Sequence, residues 1–423
     1  MSVLKVIVFI ENGILAPGNG RVQNIHEVAD AYVNIIGDGE AYAIKDYDDF
    51  QDVLSDARDN KNIQYKLLFT DAEGIDFLKE IDLASADETD HIEIIWTGHQ
   101  LFANWDKVKV DQWYLPEHVV SNETKQTIET KGSKIVTLPG VPTTFVDQRS
   151  YIQRKGWCDI CCIFSCKRPV GGSVIWMLGG DAPISQGHGG SDANQWLLMQ
   201  PDYAQVIVET MAKYWPYCDT KSVRDIRLIN GPRTGSKKIN GHKVDHTDYH
   251  KHPLSEQNID PVTNQAIISG KIHFPNAHID PRHFWKDTEG SVHSDYNQGI
   301  SDFLNDRSKI LIIPGDSVTD VSKMISHSLF LANRARILVA LSPTMSTQMK
   351  SWCLGLYRQG YFGIICDNSQ DNPVQEFESL KQSKLLPTLM DKKPQKQSIV
   401  DVIHNEIRKQ NHTSLTLLPV GFH

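Results

Sequence analysis

Residues 312–324, IIPGDSVTDVSKM, set Asp316, Ser317 and Thr319 directly behind an apolar run that ends at Gly315. A strand that hands over to a helix at such a point leaves the first backbone N–H groups of the helix unpaired and facing outward. The hydroxyls add further donors, so an anionic oxygen is well received there and a nucleotide phosphate would suit it. Ser, Thr and Asp also cap helices that bind nothing, so the motif gains meaning only from its surroundings. Residues 178–196, LGGDAPISQGHGGSDANQW, form a second candidate, in which Gly179 and Gly180 close a strand and Gly187, Gly189 and Gly190 follow. The pattern predicts a loop and then a helix over 192–214 capped by Ser191 or Asp192. It matches neither the P-loop nor the GxGxxG spacing, which argues against a P-loop NTPase and a dinucleotide enzyme. The glycines allow close approach of backbone to ligand, and His188 can serve as acid, base or oxyanion donor; a solvated surface histidine is the plain alternative.

A third group sits at two strand ends, WTGHQ (96–100) and YLPEHVV (114–120), with His99, Glu117 and His118. In open α/β sheets that edge faces the ligand crevice, and Glu117 or His118 is a candidate general base toward an acceptor hydroxyl. A helix cap or a hydrogen-bonded structural histidine fits the same residues. Two clusters look like metal ligands and are read otherwise. Cys158, Cys161, Cys162 and Cys166 have CxxC spacing but are interleaved with Ile and Phe, with no second CxxC at zinc-ribbon distance, so buried inert thiols are expected. The run His242, His246, His250 and His252, with Asp245 and Asp248, lies in a polar stretch and reads as a solvated loop. No metal is expected.

The elements that must position these residues alternate along the chain. Runs 3–10, 65–70, 92–98, 112–118 and 134–140 are continuously apolar rather than alternating, as strands covered on both faces are. A helix over Gln23–Ile36 would present Ile25, Val28, Ala29 and Tyr32 on one face. The rhythm restarts after KRPVGG (167–172), with strands at 173–180, 225–232, 309–316, 335–343 and 361–367 and helices at 317–330 and 346–359. The fold class is therefore α/β, with two Rossmann-like doubly wound domains facing a cleft. The expected units are residues 1–168, residues 169–367 and a helical tail at 368–423 with helices near 373–382 and 397–409. Residues 236–296, rich in histidine, read as an insertion of loops with a hairpin.

Composition bounds the function. With 423 residues, 40% hydrophobic and 22% charged, the chain has enough apolar material for two or three cores. Its 43 Lys and Arg against 52 Asp and Glu leave a net charge of −9, a poor match to nucleic acid. No apolar run reaches the ~18 residues of a membrane span, and the N-terminal residues lack signal-peptide pattern. Seven cysteines, four of them crowded together, fit a reducing, cytoplasmic setting.

In order and spacing these motifs resemble the mitochondrial-fission ELM family of GT-B-like glycosyltransferases. Gly18, Gly20 and Gln23 resemble its entry to the first helix, and Pro116-Glu117-His118 its Pro-Glu-His strand end. Gly179-Gly180 resemble its double glycine, Arg233-Thr234 the end of its Ser-Arg-Arg-Thr motif, and Asp316-Ser317-Val318 with Val321-Ser322 its Asp-Ser-Val helix opening. Leu356-Tyr357 and Gln359-Gly360-Tyr361 resemble its Leu-Tyr-x-Gln-Gly run. The chain departs from the family at Lys323, where a Glu of the kind that holds a donor ribose would stand. It departs again at Pro232 in place of the first Arg, and at Ser294-Asp295-Tyr296 in place of Asn-Pro-Tyr. The resemblance implies transfer of a sugar from a nucleoside-diphosphate sugar to an acceptor, without cofactor. The donor would lie among Gly179, Gly180, Arg233, Asp316, Ser317, Thr319 and Lys323, and Glu117, His118 and His188 would be catalytic candidates. The alternatives are a catalytically silent protein using its cleft or its histidine-rich segment toward a protein or membrane surface, and a nucleotide-sugar epimerase or hydrolase.

Overall fold

A computed structural model describes residues 4–9, 20–36, 39–44, 47–70, 78, 91–99, 101–102, 104–143, 172–186, 190–197, 199–213, 220–235, 248–306, 308–342, 345–366 and 397–416. The first half runs β1 (Leu4–Phe9), α1 (Gly20–Ile36), β2 (Gly39–Ile44), α2 (Tyr47–Asp59), β3 (Gln64–Phe69), β4 (Ile92–Thr97), β5 (Gln112–Pro116), α3 (Asn122–Thr130) and β6 (Lys134–Leu138). Its strands are all parallel in the order β2-β1-β3-β4-β5-β6. The apolar runs became central strands because both faces are covered: in β1 all residues but Lys5 are buried. Helix α1 buries the expected face of Ile25, Val28, Ala29 and Tyr32. Three elements were not foreseen, β2 (GEAYAI), α3, and α2, whose Phe50, Leu54 and Ala57 recur at helical spacing and are buried. The strand expected over 112–118 stops at Pro116, and Glu117–Val119 turns as a 3-10 helix.

The second half begins with β7 (Ser173–Met177), followed by a hairpin of β8 (Ala182–Gln186) and β9 (Gly190–Leu197), then α4 (Pro201–Lys213) and β10 (Asp225–Ile229). It continues with α5 (Pro261–His273), β11 (His278–Arg282), a small hairpin of β12 (Trp285–Lys286) and β13 (Val292–His293), α6 (Tyr296–Asn305) and β14 (Lys309–Pro314). The remaining elements are α7 (Val318–Ser326), α8 (Ser328–Ala332), β15 (Ile337–Leu341), α9 (Thr347–Arg358), β16 (Gly363–Cys366) and α10 (Ile399–Thr416). The second sheet is parallel in the order β11-β10-β7-β14-β15-β16. Counted from β7 this is third, second, first, fourth, fifth, sixth, the Rossmann order. The expected class, α/β with two Rossmann-like doubly wound sheets, is the one observed.

Two expectations are corrected. The helix over 192–214 is a strand up to Leu197, paired antiparallel with β8 through Ser185 and Ser191, so no helix begins at Ser191 or Asp192; the helix starts at Pro201, a favoured first helical residue. Nor is the segment 236–296 wholly an insertion. Asp260 caps α5 by accepting from Thr263 N, and the chain then enters β11 at the sheet edge, where Pro281 costs no ladder bond on the free side. The hairpin expected there is β12–β13. The boundary at 165–172 and the helix at 373–382 fall outside the described residues, apart from Gly172.

The halves meet through specific contacts. Trp352 Nε1 donates to Pro139 O at 2.9 Å, Val141 N to Ser322 Oγ at 3.0 Å, and Gln348 Nε2 to His118 O at 2.6 Å. A Cβ on Gly140 would lie 2.7 Å from Ser322 Oγ, so the first half approaches α7 by its backbone. Helix α10 packs on α1, and its Ile399, Ile403 and Ile407 join one apolar cluster with Ile25, Val28 and Tyr32 and with Ile313 and Met324 of the second half.

Candidate functional site

From β7 the chain crosses to β10 on one side, while β14 lies on the other, so the two neighbours leave a crevice at their carboxyl ends. A cavity of about 480 Å³ occupies that place. Its walls hold Gly179, Gly180, Arg233, Asp316, Ser317, Thr319 and Lys323 together, the whole expected donor set. The described residues that line it all come from the second half, Met177 to Lys323, so it is a pocket within that half rather than a cleft between halves.

The double glycine is a steric requirement. A Cβ on Gly180 would sit 2.5 Å from the Arg233 carbonyl carbon, and one on Gly179 would sit 2.7 Å from Asp316 Oδ1. Only bare backbone lets the end of β7 lie against both. Gly180 N donates to Asp316 Oδ2 at 3.2 Å, and Thr234 Oγ1 donates to Gly179 O at 2.8 Å.

The Arg233 turn is braced from the region read as solvated loop. His250 is fully buried, its ring nitrogens 2.9 Å from Phe284 O and 3.0 Å from Thr234 O. His283 stacks on it with ring centroids 5.0 Å apart, meets Asn230 Nδ2 through Nδ1 at 3.1 Å and Tyr249 O through Nε2. Burial lowers the pKa of His283. Asn230 in turn donates to Asp260 Oδ2 at 2.9 Å and accepts from Phe284 N at 2.6 Å. These braces, Asn230, His250, Asp260 and His283, were missed because a histidine in a polar run carries no burial signal; His242 and His246 lie outside the described residues.

At the helix opening the capping role falls to Ser317, whose Oγ accepts from Asp320 N at 3.3 Å, and not to Asp316. The Asp316 side chain is 1% exposed, and its Oδ1 has no hydrogen-bond partner. Burial raises its pKa, opposed by Arg233, whose Nη2 is 3.8 Å from Oδ2. Asp320 Oδ1 accepts from Tyr296 OH at 2.5 Å. Lys323 Nζ lies 3.9 Å from the same oxygen and 4.6 Å above the Tyr296 ring, and burial lowers its pKa. The opening thus carries two carboxylates, each beside a cation, where the expected arrangement was neutral donors on the helix with Arg233 as the charge.

The other candidates stand apart. His118 packs its ring on Trp352, centroids 4.4 Å apart, with Nδ1 buried and without partner; burial pushes its pKa down to about 4. Neither it nor Glu117 lines the cavity. His188 and the four clustered cysteines lie outside the described residues. Among the described residues no three His, Cys, Asp or Glu come close enough to hold a metal ion, and no helix is long and apolar enough to cross a membrane.

No family model matches the chain, and no curated protein matches it. Among solved structures, the chain is similar to the crystal structure of Acinetobacter baumannii MurG, with 11% identity, TM-score 0.40, and 96% of this chain and 99% of that one covered. It is also similar to the apo, selenomethionine-labelled cobalamin-dependent S-adenosylmethionine radical enzyme OxsB, with 9% identity, TM-score 0.22, and 99% and 61% covered. The fold is defined by the strand orders of the two parallel sheets.

Proposed function

We propose that the protein is a GT-B-like glycosyltransferase of the ELM type, whose second half binds a nucleoside-diphosphate sugar and whose first half faces the acceptor. The observation that supports it is the coincidence of pocket and motif: the cavity opens at the switch point of a Rossmann-order sheet and gathers the double glycine, Arg233 and the opening of α7. In this reading the diphosphate lies against the first turn of α7, with Thr319 and the Ser317 hydroxyl as donors and Arg233 as charge. Such groups can stabilise a leaving diphosphate without a bound metal. Glu117 and His188 are the remaining candidates for the base toward the acceptor; His118, neutral and packed at the junction, is a positioning residue. A cytoplasmic location belongs to the same proposal.

The test is ligand-observed NMR with nucleoside diphosphates and their sugars, followed by an assay for nucleoside diphosphate release. Retention of at least one nucleotide, lost in Arg233→Ala, is the expected result, and retention of none overturns the reading. The two carboxylates at the helix opening favour a second reading, a catalytically silent nucleotide-binding or scaffold protein. Binding without turnover on any acceptor would select it.

A further inference from the structure

Lys323 sits near the end of α7, which by position along the helix would direct it to the ribose or base of a nucleotide. The structure places its charge elsewhere. Helical side chains lean toward the N-terminus, and Nζ comes within 3.9 Å of Asp320 Oδ1, one turn earlier. The ammonium therefore stands beside the first turn, roughly 4.5 Å nearer the helix opening than its own backbone.

Arg233 lines the same cavity from beyond β10, on the other side of β7 from β14, and its nearest carboxylate oxygen is 3.8 Å away. Both separations exceed hydrogen-bonding distance. Each carboxylate is meanwhile served by another donor, Asp316 Oδ2 by Gly180 N and Asp320 Oδ1 by Tyr296 OH. Two cations thus line one cavity with no hydrogen-bond acceptor among the described residues. Lys323 is only 8% exposed, so its unfilled donors face the cavity and not open water. An ammonium buried with only a carboxylate at 3.9 Å and the Tyr296 ring for company is incompletely compensated, and a ligand anion in the cavity would supply the hydrogen-bond acceptors it lacks.

We propose that Lys323 and Arg233 form a two-sided clamp for a diphosphate, so that Lys323 binds phosphoryl oxygens instead of the ribose. This rests on the nucleotide-sugar reading for the identity of the ligand, but not for the existence of the clamp. It implies that affinity resides in the diphosphate and that the nucleoside contributes little to it. It also explains how a Lys stands where the related family has a Glu: the ribose contact is given up and a second charge for the leaving group is gained.

The experiment is calorimetric titration of wild type, Lys323→Met, Lys323→Arg and Arg233→Met with inorganic pyrophosphate, uridine, UMP and UDP, repeated with the corresponding guanosine series. Wild type should bind pyrophosphate and both diphosphates. Lys323→Met and Arg233→Met should each weaken pyrophosphate and diphosphates by about tenfold or more while leaving nucleoside binding unchanged, and Lys323→Arg should restore most of the loss. Lys323→Met removes a buried charge and keeps the volume, so it should fold, which its thermal melt checks. Equal weakening of nucleoside and diphosphate would return Lys323 to the ribose or base and overturn the clamp, as would unchanged affinity. Pyrophosphate bound without any nucleotide would keep the clamp and remove the nucleotide-sugar reading, whereas binding of neither would remove both.

Discussion

At the carboxyl edge of β5 the chain closes against another part of the molecule, whereas at the carboxyl edges of β7 and β14 it stays open around a cavity. Both edges end parallel Rossmann-like sheets, and both carry histidine or carboxylate residues of the kind that do chemistry. The difference lies in what stands opposite. His118 meets the Trp352 indole and is held neutral. Asp316 meets Arg233, and Lys323 meets Asp320, at distances too long for hydrogen bonds, and all four line a cavity together with Gly179 and Gly180. A strand end is therefore a site only where the packing leaves open space in front of its polar groups, since His118 Nδ1 is unpartnered too but does not line the cavity.

The closed edge gives the largest expected effect. His118 has a depressed pKa in the folded state, so its contribution to stability is fully present above pH 6.5 and is lost as pH falls from there toward about 4. Over that window the junction should lose up to about 3 kcal/mol, and His118→Phe, which keeps a ring against Trp352, should flatten this part of the profile. Chemical denaturation of both proteins at several pH values measures it, and parallel curves would mean that the ring is not buried at the junction in solution.

At the open edge, Gly180→Ala drives a Cβ into the Arg233 backbone, and a loss of about 1–3 kcal/mol is expected together with loss of nucleotide binding. Gly140→Ala, at the closed edge, meets chiefly the Ser322 hydroxyl and should be milder. Thermal melts of the pair rank them, and a milder Gly180 variant would contradict the close approach. Ser317→Ala should cost about 1 kcal/mol through the lost cap, whereas Thr319→Ala should leave stability alone and weaken only ligand binding. Denaturation and titration together separate the two roles. The smallest effect belongs to Asp316→Asn. Because burial raises the Asp316 pKa, the charged carboxyl penalises the fold above that value and the penalty is relieved as pH falls. The Asn variant should therefore be slightly more stable than wild type at pH 7 and equal to it in acid; a less stable variant at pH 7 would show that the charge is satisfied.

The sequence made the central strands legible because residues such as KILIIP in β14 are buried on both faces and leave an unbroken apolar run. Two of the four edge strands carry no such mark: β11 is HIDPR, with one aliphatic residue, and β2 is GEAYAI. Of the pocket, Gly179, Gly180, Asp316, Ser317 and Thr319 were readable from glycine and hydroxyl spacing, whereas Arg233 and Lys323 came only through the family resemblance, and the pairing of charges was not readable. That Asp316 turns inward and that Ser317 takes the cap depends on the depth of the opening, which no local pattern encodes. The braces His250 and His283 were hidden for the opposite reason, since their polar neighbours suggest solvent while Phe284 and Tyr249 cover them.

The packing of α10 on α1 also sets an order of events during synthesis. Ile25, Val28 and Tyr32 are made early, yet Ile399, Ile403 and Ile407, which share their cluster, emerge from the ribosome more than three hundred residues later. At the usual elongation rates of ~5–20 residues per second that is a delay of about 20–70 s. Throughout it the surface of the nascent first half that receives this helix lacks its cover, although the sheet already packs on the other side of α1, and that surface is a natural target for a chaperone that holds chains until their last helix arrives.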